Sequence, residues 1–133
     1  MFATAFCAVI LSLPSPAQAA ALPDTPQGRQ VAAYLEAFNT GDAKKYLAMQ
    51  DAHLQPDLLK KRSADQRLKM FDRMRGDFGT LKVSQVLKAS AEEIQLAIAD
   101  KQGTLATFTF QFDKAAPFKI AGIAVEIDDG GGG

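Results

Sequence analysis

The chain is 133 residues long, 47% apolar and 23% charged, with fifteen basic against fifteen acidic side chains and therefore no formal net charge. That length suits one small domain rather than two, and the composition is that of an ordinary globular protein rather than a disordered one. Zero net charge argues against nucleic-acid binding, which leans on a basic excess.

The first nineteen residues stand apart. Met1 to Ala19 carry no charged side chain, Phe6 to Leu13 form a short apolar core, and Ala17-Gln18-Ala19 is a small-x-small cleavage pattern. Together they predict a secretory signal peptide over 1–19, although its n-region has no Lys or Arg. The apolar run falls short of the roughly 20 residues a spanning helix needs, so no stable membrane anchor is expected after cleavage. Cys7, the only cysteine, lies inside this segment. The expected mature domain is thus secreted or periplasmic, without disulfide or thiolate chemistry, and stands on its core alone.

Three helices come next. Thr25 is a good N-cap and Pro26 suits a first helical position, so the first helix runs from Pro26 to about Phe38. Val31, Leu35 and Phe38 form its buried stripe, with Tyr34 bordering it. Gly41 supplies a left-handed residue and Asp42 caps a second helix, Ala43 to about Ala52, with Tyr46, Leu47 and Met49 as its larger apolar residues. Pro56 to Lys60 reads as a single extra turn. Ser63 and Gln66 form a capping box that opens the third helix. It runs to Phe78, with Leu68, Phe71, Met74 and Phe78 on one face, and Gly79 ends it.

Four strands follow: Lys82 to Leu87, Glu93 to Ala99, Leu105 to Phe112 and Phe118 to Ile127. The third is the clearest. Phe108, Phe110 and Phe112 alternate with Thr109 and Gln111, so one face is aromatic and the other polar. Asp100 to Gly103 is a hairpin connection with Gly103 at the position that needs a positive φ. The fourth strand changes phase: Phe118 and Ile120 share one face, while Ile123, Val125 and Ile127 fall on the other. A β-bulge at Ala121–Gly122 would bring both sets to the buried side. Residues 128–133 have no apolar side chain and read as a flexible Gly-rich tail, the start of a linker. The sum is an α+β domain over 22–127: three N-terminal helices on a curved four-stranded antiparallel sheet.

Leu22-Pro-Asp-Thr-Pro-Gln-Gly-Arg29, Ala37-Phe-Asn-Thr-Gly-Asp42, Asp77-Phe-Gly-Thr-Leu-Lys-Val83 and Pro117-Phe-Lys-Ile-Ala-Gly122 give the chain a family likeness. It resembles the nuclear transport factor 2-like (cystatin-like) superfamily. More narrowly, it resembles an accessory module found ahead of serine hydrolases of the β-lactamase type and tail-specific peptidases in exported bacterial proteins. The resemblance spans 22–127. It implies a cone-shaped fold and a non-catalytic role: supporting a hydrolase or peptidase partner, or binding a small apolar ligand. The chain contains neither Ser-x-x-Lys nor Gly-x-Ser-x-Gly, so no hydrolase activity carries over. The chain is then either a free-standing version of the module or a piece of a longer hydrolase.

Relatives of this fold also include isomerases and dehydratases, which set a carboxylate base and a phenol inside the cone. Tyr34 or Tyr46 would supply the phenol. The acids near the sheet (Glu92, Glu93, Asp100, Asp113 and Glu126) fall at strand ends and turns, and none interrupts the aromatic face. A non-catalytic domain is therefore the favoured reading, with a small cone-fold enzyme as the alternative. A third reading is a homodimer through the outer face of Thr107, Thr109 and Gln111.

No metal site or cofactor is expected, because His53 is the only histidine and no ligand cluster accompanies it. Lys60, Lys61, Arg62, Arg67, Lys69, Arg73 and Arg75 form a basic run, read as a solvated helix face or an anion- or partner-binding edge, with Asp72 placed to pair with Lys69 or Arg75. Met49, Met70 and Met74 fill core or line an adaptable pocket. The ligand-pocket residues this reading nominates are Tyr34, Phe38, Tyr46, Met70, Met74, Phe108 and Phe110.

Overall fold

A computed structural model describes residues 21–127. The expected signal peptide over 1–19 and the tail over 128–133 lie outside the described residues. The architecture is α+β, with four helices followed by one open antiparallel sheet: α1 (Pro26–Asn39), α2 (Ala43–His53), α3 (Pro56–Lys60), α4 (Ala64–Phe78), β1 (Val83–Ala89), β2 (Glu93–Ala99), β3 (Leu105–Phe112) and β4 (Ile120–Ile127). The strands lie in sequence order, β1-β2-β3-β4. Among the described residues no helix is long and apolar enough to cross a membrane.

The helix ends follow their local chemistry. The Thr25 hydroxyl accepts from Gly28 N–H, Asp42 caps Lys44 and Lys45, and Ser63 with Gln66 forms the full reciprocal capping box. Gly41 and Gly79 end helices at φ 73° and 70°. Four helices replace the expected three. Pro56 to Lys60 is a true short helix, because the Gln55 side chain caps the N–H groups of Asp57 and Leu58 and Pro56 opens its first turn.

Two strand boundaries differ from expectation. β1 begins at Val83 and runs on to Ala89, since Ala89 still pairs with Ile94 of β2. β4 begins at Ile120, not Phe118. Phe118 sits at φ 61°, a left-handed conformation no strand contains, and its N–H closes a turn on the Ala115 carbonyl at 2.9 Å. The phase change in β4 is a bulge: Gln111 pairs with Gly122 and Phe112 with Ile120, so Ala121 is the inserted residue. The Ile120 carbonyl at this point accepts from Gln55 N–H at 2.8 Å, tying the α2–α3 junction to the edge of the sheet.

The helices cover one face of the sheet. Ile94, Leu96, Ile98, Phe108, Phe110 and Ile120 are fully sealed there. Val31, Tyr34, Leu35 and Phe38 of α1 are buried on the helical side, so Tyr34 belongs to the core rather than bordering it. Phe71 of α4 stacks on Tyr46 at 4.4 Å and meets Phe38 edge-on, while Phe78 meets Phe108 edge-on at 5.4 Å. Such pairs add about 0.5–1.5 kcal/mol each beyond area burial.

Polar side chains lock the elements at their ends. Asn39 both donates to the Leu81 carbonyl (3.0 Å) and accepts from Leu81 N–H (2.7 Å), joining the end of α1 to the lead-in of β1. Gln30 donates to the Pro117 carbonyl, and its own oxygen bonds His53 Nδ1 at 2.7 Å. Gln30 thus ties α1 to the β3–β4 turn, and His53, the last residue of α2, ties α2 to α1. Gly28 lets the Pro23 carbonyl approach so closely that a Cβ there would stand 1.9 Å from it.

Candidate functional site

The helical cover does not reach the end of the sheet. The bulge at Ala121 puts Ile123, Val125 and Ile127 on the same face as Phe110, Phe108 and Ala106, their register partners. Yet Val125 is 38% exposed and Ile127 54%. Between this half of β4 and helix α4 lies an open cleft of about 850 Å3, within the roughly 300–1,000 Å3 usual for small-molecule sites.

Its apolar walls are Met70, Met74 and Phe78 from α4 and Ile123, Val125 and Ile127 from β4; Tyr34, Tyr46, Gln50 and Leu54 also line it. Met70 is 40% exposed, large for a methionine without a role in packing. Its sulfur accepts from Arg62 Nη1 at 2.9 Å, so the thioether is held at the rim.

The two tyrosines form a polar point in this apolar setting. Their hydroxyls are 2.9 Å apart and their rings meet edge-on. Burial pushes the Tyr34 phenol well above its usual 10.0, and Tyr46 adds to the rise through charge and hydrogen bond. Burial also raises Tyr46, opposed by the hydrogen bond from Tyr34 and by the charge of Arg67. Both phenols are therefore neutral at physiological pH.

Charge in the cleft is lopsided. Lys61, Arg62, Arg67 and Arg73 line it against one acid among its described lining residues, Asp77. The basic run thus divides: these four face the cleft, whereas Arg75 turns away, lies 5.7 Å from the centre of the Phe38 ring and donates to the Phe38 carbonyl. Among the described residues Asp72 forms no ion pair with Lys69 or Arg75.

Arg67 is the most buried of the four in its surroundings. Its side chain is 15% exposed, Nη1 donates to Gln50 Oε1 at 3.0 Å, and Asp51 stands 3.9 Å away. Its Nε is buried and has no acceptor among the described residues.

Of the residues nominated from sequence, Tyr34, Tyr46, Met70 and Met74 come together in the cleft. Phe38, Phe108 and Phe110 are fully buried in the core beside it. Sequence reasoning missed Gln50, and placed Arg67 in the basic run rather than among the pocket residues. One signal for Arg67 was available: Arg67, Met70, Met74 and Asp77 fall at i, i+3, i+7, i+10, a second stripe rotated one residue from the core stripe of Phe71 and Phe78. Among the described residues no three His, Cys, Asp or Glu side chains are grouped to hold a metal ion.

No protein-family model, curated protein or solved structure matches this chain.

Proposed function

We propose that this chain is an exported, non-catalytic binding domain of the nuclear transport factor 2-like type, whose α4–β4 cleft holds a small apolar ligand. The observation that carries this is the pairing of Phe108 with Val125: the same sheet face is sealed at β3 and open at β4. An apolar wall left facing solvent marks a binding surface rather than a packing one. The order of helices followed by a strand meander, and the four sequence stretches given above, support the family reading. That reading also places the domain beside a serine hydrolase or peptidase partner, with residues 1–19 as its export signal.

The test is titration with a neutral, polarity-sensitive fluorophore. A saturable rise in emission is expected, weakened in Met74→Trp, whose larger indole takes up part of the cleft. A linear, non-saturable rise that Met74→Trp leaves unchanged contradicts the reading.

The presence of a phenol pair and one carboxylate, Asp77, in the lining of the same cleft favours one second reading, a small isomerase or dehydratase. Such an enzyme would exchange the α-protons of a bound ketone with deuterated solvent. The binding-domain reading expects no exchange above the solvent background by NMR.

A further inference from the structure

The cleft's apolar walls do not explain its charges. Arg67 comes from the interior side of α4, held between Gln50 of α2 and the cleft. A guanidinium carries five N–H donors and cannot lose its proton. Here Nη1 is engaged by Gln50, and Nε is buried without an acceptor among the described residues. The nearest carboxylate, Asp51, is 3.9 Å from Nη1 and largely exposed. A buried, charged donor left unpaired is disfavoured unless something arrives to accept from it.

The unused edge of the guanidinium has a shape. Nε–H and Nη2–H point the same way, side by side, the arrangement a carboxylate meets with both oxygens. Lys61, Arg62 and Arg73 add positive charge along the same cleft, with Asp77 the opposing charge. Met70, Met74, Ile123 and Val125 offer the apolar walls. A neutral ligand would use the walls and leave the cations unmatched; a cation would be repelled by them. A small inorganic anion would use the cations and leave the walls wet.

We propose that the ligand of this cleft is an amphipathic carboxylate, an alkyl or aryl acid whose apolar body lies between α4 and β4 and whose carboxylate is received by Arg67. This rests on the apolar-cleft reading above and adds to it the head group and the residue that selects it. Arg67 is then the specificity-determining residue, with Gln50 orienting it. The Tyr46 hydroxyl, also at the cleft, donates to Tyr34 or to the ligand because it stays protonated.

The experiment is displacement of the neutral fluorophore from the full chain by three probes of equal length: a medium-chain alkyl carboxylate, the corresponding primary alcohol and the corresponding alkyl trimethylammonium. The carboxylate is expected to displace at about tenfold lower concentration than the alcohol, and the ammonium worst of all. Arg67→Gln is expected to remove that advantage, so that carboxylate and alcohol displace at similar concentrations. Arg67→Lys keeps the charge without the fork and is expected to fall between the two. The wild-type comparison stands whether or not either variant folds. If alcohol and carboxylate displace equally, the head-group inference is overturned and the apolar cleft survives. If the fluorophore itself shows no saturable binding, both fall together. If the carboxylate preference persists in folded Arg67→Gln, Arg67 is not its receptor and the proposal is overturned.

Discussion

Phe108 and Val125 are direct partners across β3 and β4, on the same face of the sheet, yet Phe108 is fully sealed and Val125 is 38% exposed. The boundary between core and cleft runs between these two side chains. Phe108 packs edge-on against Phe78 and beside Phe110, whereas Val125 faces an open space. Phe108→Ala is therefore expected to destabilise by about 3–5 kcal/mol, since it deletes a core ring and leaves a cavity. Val125→Ala should cost under about 1 kcal/mol, since solvent already reaches the site. Denaturant unfolding monitored by circular dichroism measures both. Equal costs would mean that β4 is as deeply packed as β3.

The hydroxyl pair of Tyr34 and Tyr46 is a two-member network in an apolar setting. Removing either oxygen strands the other. Tyr34→Phe and Tyr46→Phe are each expected to cost about 1–3 kcal/mol. The double variant should cost less than their sum, because it leaves no orphaned hydroxyl. A double-mutant cycle by urea denaturation reads this non-additivity directly, and strict additivity would show that the two oxygens do not interact.

The same pair sets an alkaline limit on stability. Burial raises both phenols above their usual 10.0, so the folded chain holds these protons more tightly than the unfolded one. The sign follows from linkage: this contribution is fully present below pH 10.0, the unfolded value, and is lost as pH rises through the folded values. Stability should fall on the alkaline side of pH 10.0 and fall less in the double Phe variant. The chain has only two tyrosines, so tyrosinate absorbance reports on these residues alone. Its appearance is expected to coincide with unfolding, whereas titration near the ordinary value with the fold intact would contradict the burial.

Asn39 holds the Leu81 backbone by both its donor and its acceptor. Asn39→Ala is expected to cost about 1–3 kcal/mol, because it leaves a partly buried N–H and carbonyl unpaired. Asn39→Asp keeps the acceptor for Leu81 N–H but sets a carboxylate against the Leu81 carbonyl. It should be destabilised at neutral pH and partly recover as pH falls through the carboxylate range, as thermal melts across that range would show.

Much of the architecture was written in local chemistry. Thr25, Asp42 and Ser63 each cap the helix that follows them, and Gly41, Gly79 and Gly103 take the left-handed conformations that end helices or close the β2–β3 hairpin. The bulge at Ala121 was legible because a change in hydrophobic phase within one strand admits few other solutions. What local pattern does not encode is how far a helix extends across a sheet. Ile123, Val125 and Ile127 have the alternation of a buried face, and only the reach of α4 decides that they line a cleft instead. Arg67 was hidden for a related reason: within a basic run it looks like any solvated charge, and its burial comes from Gln50, seventeen residues earlier on another helix. Phe118 shows the opposite failure. An apolar residue two positions before Ile120 fits a strand by pattern, but the tight turn at Ala115 fixes its backbone in a conformation that excludes one.

The central claim is that the space between α4 and β4 holds an apolar ligand, and methyl NMR tests it most directly. Met70 and Met74 present methyl groups from α4, and Ile123 and Val125 from β4. On titration with a neutral apolar probe, these four are expected to shift together and saturate at one probe per chain. Ile94 and Ile98, sealed on the covered face of β2, should stay in place. Shifts spread evenly over core and surface methyls, or confined to residues outside the cleft, would contradict the account.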